Sequence, residues 1–326
     1  MPANVAGLRY PHERVLLPRT RLAYVHLRNL LTDAKRDRAA RVFGYVAIWL
    51  PEEFLVLYLQ EGELVNSTSY DGHTHRPLPI AEALDKVPAE PEYGEVCFHE
   101  ADDEQLACMY GAQILESEPW PDELNVADPA ALFPYLMATT FDGTVELALD
   151  GCMNYLIFRD GAVERAFLSV PHQGTLVERV RGLFAEGRSS GKLGLRRWPV
   201  PPPLPVQPSP KLIQAYRDLM TQLVQRLVQD GHESAPTVAE YARQTLLPQH
   251  PSLESFSVSG RAVRDPVADA AGLTRDVTAW ISEIIWAAVD PSVLPPEILL
   301  RELTWERRHM LQSAGFYDGL PWAVDR

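Results

Sequence analysis

The amino-acid sequence predicts an α+β protein in which two tandem helix–three-strand–helix–strand repeats precede an all-α helical bundle. The first observation is a set of matched glycines, since Gly44 and Gly62 align with Gly143 and Gly161 at a constant offset of 99 residues. The second is that apolar residues alternate around these glycines, as they do in half-buried strands. The third is that the apolar period becomes helical after a proline-dense segment at 198–210.

Each repeat is predicted to hold three strands, with a two-residue turn between the second and the third. The turns are Glu61-Gly62 and Asp160-Gly161, and glycine suits such turns because it tolerates positive φ. The aromatic and β-branched residues of the runs also favour strands. The predicted strands span 43–50, 54–60 and 63–65 in the first copy and 141–149, 155–159 and 162–163 in the second.

Helices and a closing strand complete the predicted unit. A helix over 21–40 precedes the first set of strands. Asp128 can cap the helix that precedes the second set, with Pro129 at its first position. A short helix follows each set, at 79–87 and at 175–184, and a glycine-led strand closes each copy, at 94–98 and at 191–195.

The last third of the sequence predicts a bundle of four helices. Ser209 and Pro210 are a cap and a first-turn proline for the first helix, and Thr237 opens a capping box for the second. Thr274 can cap the third helix, and Pro296 can begin the fourth. The predicted domains are a first repeat with a basic N-terminal helix, a second repeat, a proline-rich linker and a helical domain, at 1–118, 119–198, 199–210 and 211–326.

Charge is unevenly distributed along the chain, whose net charge is −14 and whose pI is about 5.1. This balance argues against nucleic acid as the main partner, because phosphate binding needs a basic surface. Residues 82–128 contain fourteen acidic side chains and one basic residue, Lys86. The block is interpreted as a solvated surface, a docking face for a basic partner or a divalent-cation site, although the EF-hand spacing is absent.

Candidate partner-binding residues come from this acidic block and from the helical third. The four tryptophans Trp280, Trp286, Trp305 and Trp322 either pack inside the bundle or contact a partner. The residues predicted to form a partner surface are Glu100, Asp102, Asp103, Glu104, Trp286 and Trp305.

Motifs that would indicate catalysis are absent from the sequence, which has no P-loop, no GxGxxG after a strand and no GxSxG elbow. His73 and His75 could share one side of an extended segment, but no third metal ligand lies nearby in the sequence. Cys97 lies close to His99, and strand alternation argues against a contact between their side chains. The sequence therefore predicts no enzyme activity, no cofactor and no metal.

The three cysteines, Cys97, Cys108 and Cys152, are too few and too scattered for a disulfide framework, so free thiols are expected. The first residues lack the apolar core of a signal peptide. No stretch approaches the run of about 18 uncharged apolar residues that a membrane-spanning helix needs. We therefore expect a cytoplasmic protein without a membrane span.

The predicted repeats resemble the PATAN family, named for the N-terminal domain of PatA-type bacterial response regulators. The resemblance covers about residues 20–200 and consists of hydrophobic alternation and glycines. It implies a regulatory, non-enzymatic bacterial protein that works with small Ras-like GTPases or surface-motility machinery, and it brings no catalytic residues. The matching stretches are 43–46, 57–65, 81–84 and 94–98 in the first copy and 141–145, 155–163 and 165–166 in the second.

The predicted function is that of a non-enzymatic regulatory or adaptor protein that binds another protein. The resemblance suggests a small Ras-like GTPase or a motility component as the partner, and a second copy of this chain is the other partner considered. Two alternatives stay open, namely a small-molecule sensing module with a pocket between the repeats and a self-assembling structural protein.

Overall fold

The computed structural model of the protein describes residues 5–36, 42–88, 92–169, 174–259, 264–289 and 294–324. Contacts between Cα atoms divide the chain into two units. The first comprises Met1–Leu78 and Ala83–Leu204, and the second comprises Pro79–Glu82 and Pro205–Arg326.

The larger of two antiparallel sheets lies in the first unit. Its strands are β1 (Arg14–Arg21), β2 (Gly44–Trp49), β3 (Phe54–Gln60), β4 (Glu63–Tyr70), β5 (His75–Leu78) and β6 (Glu95–Glu100). Their order is β1-β6-β2-β3-β4-β5. Side chains alternate along β2, so that Tyr45 and Ala47 enter one core layer while Val46 and Ile48 enter another.

The smaller sheet also belongs to the first unit. Its strands are β7 (Gly143–Leu149), β8 (Cys152–Arg159), β9 (Ala162–Phe167) and β10 (Gly194–Trp198), in the order β10-β7-β8-β9. One face carries Val145 and Leu156, which pack with Leu136 and Phe184 of neighbouring helices. The opposite face carries Tyr155 and enters the core layer that also holds Tyr45.

The helices that accompany these sheets differ in how deeply they are buried. They are α1 (Leu27–Arg36), α2 (Ile80–Asp85), α3 (Asp103–Ile114), α4 (Pro129–Ala138) and α5 (Leu176–Ser190). Residues 105–112 of α3 are all buried, and a helix that is buried all round belongs to a core rather than to a surface. Met109 of α3 shares one core with Tyr58 of the larger sheet and Tyr155 of the smaller sheet. Helix α3 therefore joins the two sheets.

The predicted fold class is wrong, because the first unit does not consist of two tandem helix–three-strand–helix–strand repeats. Strands β1 and β5, which the sequence pattern does not predict, extend the larger sheet to six strands, while the smaller sheet has four. The central helix α3 also has no place in the predicted unit. The sheets share a core around this helix, so the two halves of the pattern do not fold as equivalent units.

Several local predictions are confirmed although the architecture is not. The turns at Glu61-Gly62 and Asp160-Gly161 both have positive φ at both residues and connect antiparallel strands. Asp128 caps α4, since its Oδ1 accepts from the Ala130 N–H at 3.1 Å. The helix predicted over 21–40 begins only at Leu27, after a strand, and residues 37–40 lie outside the described part of the chain.

Beyond residue 210, helices and the loops between them make up the described residues of the second unit. Its helices are α6 (Pro210–Gln229), α7 (Ala235–Leu246), α8 (Ala270–Ala288), α9 (Pro296–Thr304) and α10 (Arg308–Ser313). Tyr216, Trp280 and Phe316 are among the fully buried side chains of its core. Short 3-10 turns occupy Pro251–Ser255, Trp305–Arg307 and Phe316–Gly319 in this unit, and Val5–Gly7 and Leu22–Tyr24 in the first.

Two predicted helix starts in this unit are correct and two are wrong. Ser209 caps α6, since its hydroxyl accepts from the Leu212 N–H at 3.2 Å, and α9 begins at Pro296. Helix α7 begins before Thr237, and α8 begins before Thr274. The Thr274 hydroxyl lies inside α8 and donates to the Ala270 carbonyl at 2.8 Å. A threonine can form such a bond within a helix as readily as it can cap one, which is why its position misleads.

None of the helices in the described ranges has the combination of length and apolarity that crossing a lipid bilayer requires.

Candidate functional site

The four acidic residues predicted for a partner surface lie together in the first unit. Glu100 ends β6, Asp102 precedes α3, and Asp103 and Glu104 form the first turn of that helix. They line a groove of about 850 Å³ together with Glu13, which precedes β1. We call this groove the acidic groove.

The first turn of α3 stabilises several of the clustered carboxylates. Asp102 is extended, and its Oδ1 accepts from the Gln105 N–H at 2.8 Å, which makes it the helix cap. Asp103 and Glu104 follow at the positive end of the helix dipole, where negative charge is favourable. The Gln60 amide also donates to Asp103 Oδ1 at 2.9 Å.

Two arginines from neighbouring strands offset part of this charge. Arg165 of β9 pairs with Asp102 and, at 2.5 Å, with Glu104. Partial burial disfavours the charged guanidinium, but the hydrogen bonds and charges of these two carboxylates outweigh that effect and raise the pKa of Arg165. Arg14 of β1 lies 2.7 Å from the Glu100 carboxylate. The smaller sheet therefore contributes a residue to one wall of the groove through β9.

The rest of the groove is apolar. Among the described residues, five carboxylates and one guanidinium line it, and the other lining residues are Phe43, Ala101, Ala107, Ile157, Val200, Pro201 and Pro203. A surface with excess negative charge beside apolar area suits a ligand that combines cationic groups with hydrocarbon. Sequence reasoning missed Glu13, which precedes β1, and Arg165 of β9, both of which are distant from α3 in the chain.

The two tryptophans predicted for the same surface belong to the second unit. Trp286 of α8 is 58% exposed, and its ring contacts the Trp322 ring edge-on at 5.7 Å. Trp305 follows α9 and is 64% exposed, with the Arg308 guanidinium 5.6 Å from its ring centre. Trp280, in contrast, is fully buried and donates its indole N–H to the Ala239 carbonyl at 2.8 Å.

His73 and His75, near the start of β5, lie in different surroundings. Asp71 Oδ1 accepts from the backbone N–H groups of His73 and Thr74, which makes the segment a turn. His75 stacks on the Tyr70 ring at 4.1 Å, and burial, with the nearby Arg196 charge, lowers its pKa to about 4. Within the described ranges, no three His, Cys, Asp or Glu side chains are grouped to hold a metal ion.

A second polar cluster in the helical unit escapes sequence reasoning. The buried Asp276 carboxylate accepts from Ser252 Oγ at 2.5 Å and lies 2.8 Å from His250 Nδ1. The hydroxyl thus contacts the carboxylate and not the imidazole, so His250 is not placed to activate Ser252 as a nucleophile. The cluster ties the 3-10 turn at Pro251–Ser255 to α8. No local signal links these residues, because Asp276 lies 26 positions away from His250.

The thiols follow the sequence prediction in part. Cys97 and Cys108 are buried and Cys152 is half-buried, all as free thiols. Burial raises the pKa values of Cys97 and Cys108 to about 12. Alternation is not a reason against a contact between Cys97 and His99, because residues two apart on a strand share a face, and both residues line one cavity.

Comparisons with protein-family models, with curated proteins and with solved structures find no match.

Proposed function

We propose that this chain is a non-enzymatic adaptor that binds a basic segment of a partner protein in the acidic groove. The observation that carries the proposal is the groove itself, in which the described residues place five carboxylates around apolar side chains, while Arg165 and Arg14 offset only part of the charge. Lysine or arginine side chains would meet the carboxylates, while apolar neighbours in the segment would cover Phe43 and Ile157.

The resemblance to the PATAN family supports a bacterial regulatory role of this kind and a place in the cytoplasm. It also names a small Ras-like GTPase or a surface-motility protein as the first partner to test. Charge complementarity of this kind acts mainly on association rate and specificity, so we expect moderate affinity that falls as salt is added.

The test uses a short fluorescent peptide that alternates lysine with alanine and valine, and a matched peptide with glutamate in place of lysine. We expect the lysine peptide to bind. The substitutions Glu13→Lys and Glu104→Lys should each weaken its binding about tenfold. The control variant is Glu186→Lys, which makes the same charge change at an exposed position of α5. It should leave the dissociation constant within about twofold of the wild-type value.

Two results would count against the proposal. If Glu186→Lys weakens peptide binding as much as the groove variants do, the attraction arises from the net charge of the chain and not from the groove. If the lysine peptide binds no better than the glutamate peptide at low ionic strength, the groove does not recognise basic segments.

A second candidate function, self-association, is favoured by the exposure of Trp286 and Trp305. Tryptophan is enriched among the residues that contribute most to binding at protein interfaces. Light scattering over a concentration range tests this candidate. A dimer that is lost in Trp286→Ala or Trp305→Ala but kept in Tyr241→Ala, which truncates another exposed aromatic residue of this unit, would support it. A monomer at all concentrations would exclude it.

A further inference from the structure

A cavity of about 370 Å³ lies in the first unit, on the face of β1, β6 and β2 against which the segment 8–12 packs. We call it the N-terminal cavity. Its volume is within the range of small-molecule pockets, about 300–1,000 Å³. None of the residues that line it lines the acidic groove, so a ligand bound in this cavity would be independent of the proposed function.

Strand register explains which side chains reach the cavity. Val15 of β1 lies opposite His99 of β6, and His99 lies opposite Tyr45 of β2. Residues directly opposite each other on neighbouring strands project from the same face, so these three form a row across the sheet. Ala47 and Cys97 form the adjacent opposed pair. The small Ala47 side chain leaves space between larger neighbours on this face.

Aromatic rings supply much of the wall. Tyr10 packs edge-on against Tyr45, with ring centres 6.2 Å apart, and Trp49 of β2 lines the cavity beside them. Leu8, Val15 and Pro18 complete the apolar lining. Flat, apolar walls of this kind suit an aromatic ring, which can stack or pack edge-on against them.

The charged groups of the cavity are arginines. Arg9 and Arg19 line it, and no carboxylate does among the described residues, although the chain as a whole has a net charge of −14. Arg19 lies 4.0 Å above the Trp49 ring and donates to Glu95 at 2.6 Å, so its charge is largely compensated. Arg9 is exposed at the mouth, and the described part of the chain provides it with no ion-pair partner.

The His99 imidazole does not alter this balance. The Tyr45 hydroxyl donates to the Pro11 carbonyl at 2.9 Å and lies 3.4 Å from His99 Nδ1. Burial, with a contribution from His12, lowers the pKa of His99 to about 4, so that ring is uncharged near neutral pH. His99 therefore adds no positive charge to that of the two arginines.

We propose that the N-terminal cavity binds a small aromatic carboxylate, with its ring against Tyr45 and Trp49 and its carboxylate at Arg9. An uncharged analogue of the same shape would keep the contacts with the rings and lose the ion pair. A cationic analogue would be repelled by both arginines.

The test is isothermal titration of the full chain with four acids, benzoate, phenylacetate, 3-phenylpropionate and indole-3-acetate, and with the neutral amide of each. We expect at least one acid to bind with saturation and about tenfold more tightly than its amide. Arg9→Gln should weaken the binding of that acid about tenfold and leave the affinity for the amide unchanged.

A matched pair of variants places the binding at this cavity. Val15 is 46% exposed, so a polar side chain at this position keeps access to water. Val15→Glu puts a carboxylate at the mouth and should raise the dissociation constant of the acid about tenfold or more. Val15→Gln, whose side chain has nearly the same shape, should change that dissociation constant less than about threefold. Thermal unfolding of each variant checks that the fold is intact.

Saturable binding of an acid with this order of affinities would support the proposal. It would be overturned if none of the four acids binds with saturation, or if amide and acid bind equally. It would also be overturned if Val15→Gln weakens binding of the acid as much as Val15→Glu does, because the loss of affinity would then not depend on charge.

Discussion

Glu146 of β7 and Arg196 of β10 lie directly opposite each other in the smaller sheet, with Arg196 Nε 2.7 Å from Glu146 Oε1. The Glu146 side chain is 3% exposed, while that of Arg196 is 41% exposed. Arg196 also donates to the Ala112 carbonyl of α3 at 3.0 Å. The pair thus connects the smaller sheet with the central helix. Burial raises the pKa of Glu146, and Arg196 opposes this by favouring the charged carboxylate.

Removing the arginine alone should destabilise the first unit. Arg196→Met leaves a buried carboxylate without its cation, and we expect a loss of about 2 kcal/mol at neutral pH, below the value for a fully buried pair because Arg196 is partly exposed. Glu146→Gln combined with Arg196→Met should recover more than half of the loss, since no buried charge remains. Urea unfolding of the three proteins measures both values. A double variant that is as unstable as Arg196→Met would show that packing, and not charge, stabilises this site.

The same carboxylate predicts a pH dependence. A folded-state pKa above the ordinary value of 4.5 means that the folded protein holds the proton more tightly than the unfolded chain does. The contribution of Glu146 to stability is therefore largest below pH 4.5 and declines as pH rises through the folded-state pKa. Glu146→Gln removes this decline, so its stability relative to the wild type should rise as the pH increases above the ordinary carboxyl pKa of 4.5. Melting temperatures over this range check the sign, and a relative stability that falls with pH would contradict it.

Local features of the fold were predictable from the sequence, because local residues determine them. The Glu61-Gly62 and Asp160-Gly161 turns and the caps at Asp128 and Ser209 each depend on a few neighbouring positions. Strand β1 was not predictable in this way. Its charged residues give little alternation, and its pairing with β6 joins Arg14 to Glu100, far away in the sequence. Burial of α3 on every side likewise depends on both sheets.

In the candidate site, too, the sequence predicts the locally grouped residues but not those that come together only in the folded chain. Glu100, Asp102, Asp103 and Glu104 are nearly consecutive, so one turn between β6 and α3 is enough to group them. Arg165 reaches this group only because β9 lies beside it in the folded chain. Charge runs in a sequence therefore point to a charged surface, while the counter-charge that shapes it depends on tertiary pairing.

Gly44, the first residue of β2, should not tolerate a side chain. A Cβ atom added there would lie 2.1 Å from the backbone oxygen of His99, which the sheet holds in place. We expect Gly44→Ala to cost about 3 kcal/mol through overpacking. Gly194, the first residue of β10, is the control, since an added Cβ would have its nearest neighbours at 3.8 Å. Gly194→Ala should stabilise the fold by about 0.5 kcal/mol. Equal losses in chemical denaturation would contradict the steric explanation.

Asp102 combines a capping bond with an ion pair, and two substitutions separate them. Asp102→Asn keeps an oxygen that can accept from the Gln105 N–H but removes the charge that faces Arg165. Because the Arg165 side chain is 44% exposed, this loss should cost less than about 1 kcal/mol. Asp102→Ala removes the cap as well and should cost about 1 kcal/mol more. Thermal or urea unfolding measures both, and equal costs would show that capping contributes nothing here.

The three thiols should react at very different rates. Burial raises the pKa values of Cys97 and Cys108 to about 12, so at pH 8 about one in ten thousand of each would be thiolate, the form that attacks a disulfide reagent. Cys152 is half-buried and more accessible. We expect one fast thiol with a disulfide reagent in the folded protein, three in denaturant, and no fast thiol in folded Cys152→Ser. Rapid labelling of a second thiol in that variant would mean that the core around Cys97 or Cys108 opens far more often than its burial indicates.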